Sequence, residues 1–299
     1  MPELPEVEYE RRRLQRAMAG KRIVRVVTRR GNLRYEFLPD FARRLEGQIV
    51  RSVRRRAKYL VIELGSGDAL LMHLGMSGSF RMMRARALKR APYEHGGHYE
   101  HVGHDEHVGH PFTGCRDEYD KHDHVVFEMS NGTVVIFNDP RRFGFMTVLS
   151  PAEMQEHSTL AALGPEPLAR RFGGTDLAKE LGRRRTPLKI ALSDQRVVAG
   201  LGNIYVSEAL HRAGLSPRRR ASTLVTRTGE PRPALDDLVR AIKDVLRVAI
   251  RNQYRTGVND PFLVYDREGE RCPRRGCGGT IKRIVQGGRS TFYCPVCQT

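Results

Sequence analysis

The residues with the most chemistry in them lie at the two ends of the chain. It begins Met1-Pro2-Glu3-Leu4-Pro5-Glu6-Val7-Glu8. A proline in second position is small enough that the initiator methionine is normally trimmed, which leaves Pro2 with a free secondary amine. An α-amino group titrates near pH 8, against about 10.4 for a lysine, so roughly a tenth is unprotonated at neutral pH. A secondary amine that attacks a sugar C1′ forms an iminium, the covalent route open to amine nucleophiles. Glu3 stands beside it as a candidate acid or base, and Glu6 follows within one turn. The same residues also read as the acidic start of a helix with proline near its first position. The string alone leaves both readings open.

At the other end, Cys272 and Cys277 are separated by four residues and Cys294 and Cys297 by two, with sixteen between the pairs. Four thiolates so spaced suit tetrahedral zinc, and a closed set leaves no open coordination position, so the expected ion is structural. Ile281–Val285 and Ser290–Tyr293 read as the strands of a hairpin between the pairs. Its turn, Gln286-Gly287-Gly288, delivers Arg289 on the tip side. Four of the five cysteines fall in the last 28 residues; an intracellular chain seldom uses such spacing for disulfides. The fifth, Cys115, has no evident role.

Stepping along the chain gives the elements that must hold these groups. Residues 3–18 predict a surface helix that packs Val7, Leu14 and Met18. From Arg22 to Val148 short β-type runs dominate: Ile23–Val27, Tyr59–Leu64, Ala69–Leu74, Val125–Met129 and Thr133–Phe137. The last two are joined by the hairpin signal Ser130-Asn131-Gly132. Such strands with Gly, Asn and Asp turns predict a β-sandwich or barrel. Leu149 to Ala169, with three prolines, reads as a linker. Leu188–Val197, Ile204–Ala213 and Leu235–Ile250 carry helical spacing. Between the first two, Ala199-Gly200-Leu201-Gly202-Asn203 is a glycine-rich turn that presents backbone N–H groups at a helix start, a ready phosphate site. The expected architecture is α+β: a β-sandwich with a leading helix at residues 1–150, a linker at 151–168, a helical domain at 169–260 and a zinc-finger hairpin at 263–299. A histidine-rich insertion, about 86–118, interrupts the first domain. His95, His98, His101, His104, His107 and His110 recur at every third residue among glycines, a low-complexity pattern.

The chain carries 52 Lys and Arg against 34 Asp and Glu, a net charge of +18. The excess lies in clusters at Arg11–Arg13, Arg54–Arg56 with Lys58, Arg141-Arg142, Arg183–Arg185 and Arg218–Arg220. That spread favours a nucleic-acid partner over a membrane surface. No apolar run approaches a membrane-spanning length, and the first 20 residues are charged rather than signal-like. The expected protein is soluble, intracellular and cytoplasmic.

In order, the sequence shows Pro2-Glu3-Leu4-Pro5-Glu6, Arg55-Arg56-Ala57-Lys58-Tyr59-Leu60, His73-Leu74-Gly75-Met76-Ser77-Gly78-Ser79 and Lys121-His122-Asp123-His124-Val125. There follow Asp139-Pro140-Arg141-Arg142-Phe143-Gly144, Leu163-Gly164-Pro165-Glu166-Pro167-Leu168, Thr186-Pro187-Leu188-Lys189, Gly200-Leu201-Gly202-Asn203-Ile204-Tyr205-Val206-Ser207-Glu208 and Gly288-Arg289-Ser290-Thr291-Phe292-Tyr293-Cys294. Over nearly the whole chain this resembles the formamidopyrimidine-DNA glycosylases, bifunctional repair enzymes that excise oxidised purines and then nick the strand. The resemblance implies Pro2 as the nucleophile at C1′ and Glu3 as the acid/base. It implies Lys58 for β-elimination and phosphate holding, and Arg289 for δ-elimination and phosphate clamping. It further implies that His122, Arg141, Arg184 and Asn203 contact double-stranded DNA. Met76, Arg141 and Phe143 would fill the gap left by a flipped nucleotide, as apolar wedges and a cation do in opened, kinked duplexes. Cys272, Cys277, Cys294 and Cys297 would hold one zinc ion.

Two features depart from the family pattern. The histidine-rich insertion is not typical, and the segment near 251–262 is shorter than the usual glycine-rich, lesion-capping loop, which puts recognition of the flipped base in doubt. Two rivals stay open: an endonuclease VIII-type enzyme for oxidised pyrimidines, against which Leu4 speaks, and a non-catalytic lesion-binding protein, against which Pro2, Glu3, Lys58 and Arg289 together speak.

Overall fold

The computed structural model describes residues 2–84, 119–256 and 262–299. The histidine repeat, Cys115 and part of the short capping segment lie outside the described residues. The first helix, α1 (Leu4–Met18), has Pro5 in its opening turn and buries Leu4, Val7, Leu14 and Met18. Behind it, β1 (Ile23–Thr28), β6 (Asp123–Met129), β7 (Thr133–Asn138) and β5 (Ser79–Arg84) form an antiparallel sheet in the order β1-β6-β7-β5. A second sheet runs β2-β3-β4-β8, from Val50–Arg56, Tyr59–Leu64, Ala69–His73 and Phe145–Leu149. Ile23, Val53, Ile62, Met72, Phe127 and Phe137 meet between them, with Val7, Leu14 and Met18 closing one side. This is the expected sandwich with its leading helix.

Three of these strands, β2, β5 and β8, were not predicted. In β2 the pairing slips between Val50 and Ser52. The bulge puts Val50 and Val53, three residues apart, on the same buried side, so the period-two signature of a strand is lost among arginines. β1 carries a similar slip, and buries Ile23 and Val26.

A short α2 (Phe41–Leu45) lies between β1 and β2, and the segment read as a linker contains α3 (Pro151–Glu156), capped by Ser150, and α4 (Ser158–Ala161). The helical half comprises α5 (Gly174–Leu181), α6 (Leu188–Ser193), α7 (Asn203–Ala213) and the long α8 (Pro233–Thr256). They share a core that includes Leu177, Leu192, Tyr205, Leu210, Ile242 and Leu246, and Leu4 of α1 joins it. α6 stops four residues before the predicted Val197. The Asp194 carboxylate accepts from the Arg196 amide at 3.0 Å, the local side-chain competition that ends helices. Finally β9 (Lys282–Gln286) and β10 (Arg289–Tyr293) form the expected hairpin. Among the described residues, no helix is long and apolar enough to cross a membrane.

Candidate active site and nucleic-acid interface

The N-terminal segment is fastened to the far half of the chain. Glu3 precedes α1, and its N–H donates to Glu6 Oε2 at 2.8 Å. Its buried carboxylate accepts from the amides of Gly202, Ile204 and Tyr205 at 2.8, 2.9 and 3.3 Å. The next amide, Leu4 N, donates to Gly200 O at 3.1 Å, and Tyr205 Oη donates to Glu6 Oε1 at 2.6 Å. Two glycines permit this approach. A Cβ on Gly200, which has φ +90°, would lie 2.6 Å from Leu4 Cδ1, and one on Gly202 would lie 2.3 Å from Glu3 Cδ. The N–H groups that the sequence offers to a phosphate at the start of α7 are therefore taken by Glu3. The positive end of α7 stabilises a carboxylate of the protein itself.

Lys58 comes to the same place on the turn between β2 and β3. Ala57, at φ +53°, makes that turn, and the Glu166 carboxylate accepts from Ala57 N at 2.5 Å and from Arg55 and Arg56 at 2.9 and 3.3 Å. Arg55 and Arg56, read in the sequence as part of a polyanion-facing cluster, instead secure the turn. Lys58 is buried. Burial pushes its pKa down, Glu3 opposes that, and Arg289 adds to it. Burial raises the pKa of Glu3, while Lys58 and the amides of Ile204 and Tyr205 pull it back. The pair is a carboxylate and an ammonium each held away from water, where both take and give protons more readily than on a surface.

Arg289 opens β10, exposed, beside a turn in which Gly287 and Gly288 both have positive φ. The hairpin is held at three points. Asn203 Nδ2 donates to Ser290 O at 2.8 Å, Lys189 Nζ to Gln286 O at 3.4 Å, and Gln286 Nε2 to Pro217 O at 3.3 Å. Asn203 thus binds protein through its amide nitrogen, while its Oδ1 is buried without a partner among the described residues.

The proposed wedges occupy two adjoining loops. Met76 and Phe143 are large apolar side chains left 40% and 42% exposed, and the Arg141 guanidinium lies 5.0 Å over the Phe143 ring. The loops touch backbone to backbone: Gly75, at φ +65°, would set a Cβ 2.3 Å from Phe143 C. Ser77 Oγ accepts from Arg141 N at 3.1 Å and donates to buried Asp139, which also accepts from Gly144 N. His124 is buried and binds Asp139 O, so it supports this turn. His122 lies beside it at a ring separation of 6.5 Å and is only partly buried.

The four cysteine Sγ atoms lie within 4.8 Å of one another and none is in a disulfide. The Cys272–Cys297 and Cys277–Cys294 separations of 3.8 and 3.5 Å are close to the roughly 3.8 Å edge of a tetrahedron with Zn–S bonds of about 2.3 Å. The donor set fits zinc and, being closed, supplies structure rather than a reacting water.

Three family models match consecutive parts of the chain: "Formamidopyrimidine-DNA glycosylase N-terminal domain" over residues 1–146, "Formamidopyrimidine-DNA glycosylase H2TH domain" over 163–259 and "Zinc finger found in FPG and IleRS" over 269–299. The chain belongs to the formamidopyrimidine-DNA glycosylase family. A formamidopyrimidine-DNA glycosylase of Rhodopseudomonas palustris (strain BisB18) is 52% identical over 310 residues, covering all of both chains. The glycosylase of Lactococcus lactis, solved with DNA containing an abasic site, superposes with a TM-score of 0.78 at 27% identity over all of both chains. MutM in complex with DNA containing carbocyclic 8-oxo-G gives 0.78 at 29%, again over all of both. The protein is a zinc-finger DNA glycosylase and AP lyase of base-excision repair, acting on oxidised purines.

Within the glycosylase, Glu3, Lys58 and Arg289 share one electrostatic environment. Arg184 does not join them. Its guanidinium donates to Asp194 Oδ2 at 3.0 Å and to Glu180 O at 3.1 Å, so a phosphate contact from it would compete with an internal ion pair. Two residues escaped the sequence reading although it quoted both inside family motifs. Lys189 is buried near Arg289 and Glu3. His73 Nδ1 accepts from Gly75 N at 3.0 Å, which leaves the hydrogen of its neutral ring on Nε2. Burial, then Lys58 and Arg34, push its pKa down to about 4; it is a neutral donor at physiological pH. Nothing but neighbourhood distinguishes such residues from core ones, and one sequence does not show neighbourhood.

Proposed function

We propose that Pro2, freed of Met1, is the nucleophile at C1′ of the damaged nucleotide and that Glu3, Lys58 and Arg289 move its protons and hold its phosphates. Attack forms the C1′–N bond as the C1′–base bond breaks, and ring opening gives an iminium. Glu3 serves as the acid/base that protonates the opening sugar oxygen. Loss of a C2′ proton then drives β-elimination of the 3′ phosphate, assisted by Lys58, and δ-elimination of the 5′ phosphate follows with Arg289. The observation that carries this reading is the Glu3 carboxylate seated on three α7 amides in the field of Lys58, which itself lies in the field of Arg289. Met76, Arg141 and Phe143 fill the helix behind the extruded nucleotide, and His122 contacts the backbone. Arg184 and Asn203 contact DNA through donors they do not use internally. Residues 1–150 form the catalytic sandwich, 169–260 the DNA-binding helical domain and 263–299 the zinc finger, joined by 151–168. The enzyme works as a monomer on nucleoid DNA, with 8-oxoguanine and formamidopyrimidines as lesions.

Borohydride trapping tests the mechanism, because borohydride reduces an iminium to a stable amine. Wild-type protein is expected to form a covalent adduct on duplexes carrying 8-oxoguanine opposite cytosine or an abasic site. Pro2→Gly is expected to lose base excision while still binding DNA. Unchanged excision in that variant would remove Pro2 from the role, provided that mass spectrometry shows Met1 is absent from the wild type.

A further inference from the structure

We propose that His211 is an outer-sphere hydrogen-bond donor to the zinc-bound thiolate of Cys272, and that this bond retains the metal. His211 lies in the last turn of α7, 3% exposed, with Nε2 3.4 Å from Cys272 Sγ. A cysteine bound to zinc is a thiolate without a proton, so the hydrogen of this contact belongs to the imidazole. The other ring nitrogen gives the same answer. Nδ1 is buried with no partner among the described residues, and a hydrogen placed there would be a stranded donor, whereas a bare lone pair is tolerated more easily.

The zinc module is tied to the end of α7 by several hydrogen bonds, most of them from side chains to backbone carbonyls. Arg274 donates to the carbonyls of His211 and Arg212. Thr299 N donates to Gly214 O at 3.1 Å. Gln298 receives Cys294 N at 2.8 Å and donates to Leu215 O at 2.9 Å. These position the module, but the His211 ring reaches a metal ligand itself. An N–H···S bond draws electron density from the sulfur, which makes a zinc thiolate a weaker nucleophile and orients it on the ion. The consequence matters for an enzyme of oxidative-damage repair. When a thiolate attacks hydrogen peroxide, an S–O bond forms, the O–O bond breaks and hydroxide leaves; the sulfur is oxidised, the peroxide reduced, and zinc loses a ligand.

The test uses the full-length zinc protein as wild type, His211→Phe, His211→Met and His211→Gln, with folding of each checked by circular dichroism. Zinc released by hydrogen peroxide is followed with a chromogenic chelator, and the sulfur-to-metal charge-transfer band is recorded after cobalt(II) substitution. His211→Phe and His211→Met are expected to release zinc about tenfold faster and to move the band to lower energy. His211→Gln, whose amide can donate, should stay near wild type. Equal release rates and an unmoved band in either apolar variant would overturn the proposal. Equal acceleration in all three would overturn it too, since packing rather than N–H donation would then hold the site.

Discussion

Substituting Gly202 by alanine isolates the contact on which the active site is built. Gly202 precedes α7 with φ −134° and ψ −161°, a backbone that alanine adopts without strain, so the effect is steric alone. The added methyl would stand 2.3 Å from Glu3 Cδ and 2.4 Å from Oε1, where non-bonded carbon atoms rest at about 3.5 Å or more. The carboxylate must retreat by roughly 1 Å, and its 2.8 and 2.9 Å bonds to Gly202 N and Ile204 N then fail. Hydrogen bonds to charged groups contribute about 1.5–3 kcal/mol each. The two together put roughly 3–6 kcal/mol at stake, of which relaxation of α1 recovers a part. We expect about 2–4 kcal/mol of lost stability and, from a 1 Å misplacement of the acid/base, about a hundredfold slower excision.

Single-turnover excision of 8-oxoguanine and thermal melting measure the two effects. Gly132→Ala is the control. Gly132 has φ +75° with nothing within 4 Å of an added Cβ, so it should cost about 1 kcal/mol in backbone strain and leave excision unchanged. If Gly202→Ala excises within twofold of wild type at an unchanged melting temperature, the seating of Glu3 is not what organises the site.

Two other outcomes are expected. Glu10 is buried on the inner face of α1 with Arg13 as its partner, and burial raises its pKa from 4.5 to about 7 against the pull of Arg13. Between those values the folded state keeps a proton that the unfolded chain has released, so stability should fall as pH rises from 4.5 to 7. The total is about 3 kcal/mol; urea denaturation at pH 5 and 8 should show that slope in wild type and not in Glu10→Gln, and equal slopes would refute the reading. Chelation of zinc should abolish δ-elimination and weaken DNA binding, since the hairpin bearing Arg289 loses its base, while the helical circular dichroism largely survives because the zinc cluster is separate from the helical core. Collapse of the helices on chelation would contradict that separation.

What was legible in the sequence depended on how local its cause is. The zinc ligands are set by spacing within 26 residues, and the turn that delivers Arg289 by two consecutive glycines; both stand where the sequence puts them. The order of family motifs carried the rest of the fold. β2 was missed because its bulge hides the alternation, and α6 was overextended because Asp194 bends the chain at a point where apolar spacing continues. The glycine-rich turn before α7 is legible only in part, for a different reason. Its glycines have the form of a phosphate cradle, but the anion they admit is Glu3, about 200 residues away in sequence, and no local pattern names that partner. One charge cluster also serves the fold, since Arg55 and Arg56 meet Glu166, and a run of arginines does not announce such a partner.

That long-range partnership also explains how the proposed nucleophile, Pro2, can be held in place near a chain terminus, normally the least ordered place in a protein. Two residues after Pro2, Leu4 lies in the helical core, and three residues further Val7 lies in the sandwich core. α1 therefore cannot shift without exposing an apolar side chain on one side or the other. Between Leu4 and Pro2 stands Glu3, fixed by three amides through its side chain and by Glu6 through its own N–H. The Pro2 nitrogen is tied into its own ring and cannot rotate about N–Cα, so little of its conformational freedom is left to lose when it meets a sugar. In the proposed mechanism the same contacts make Glu3 both the anchor of Pro2 and its proton partner. Replacing Glu3 would remove both functions at once, whereas the methyl on Gly202 displaces the carboxylate and leaves its chemistry intact.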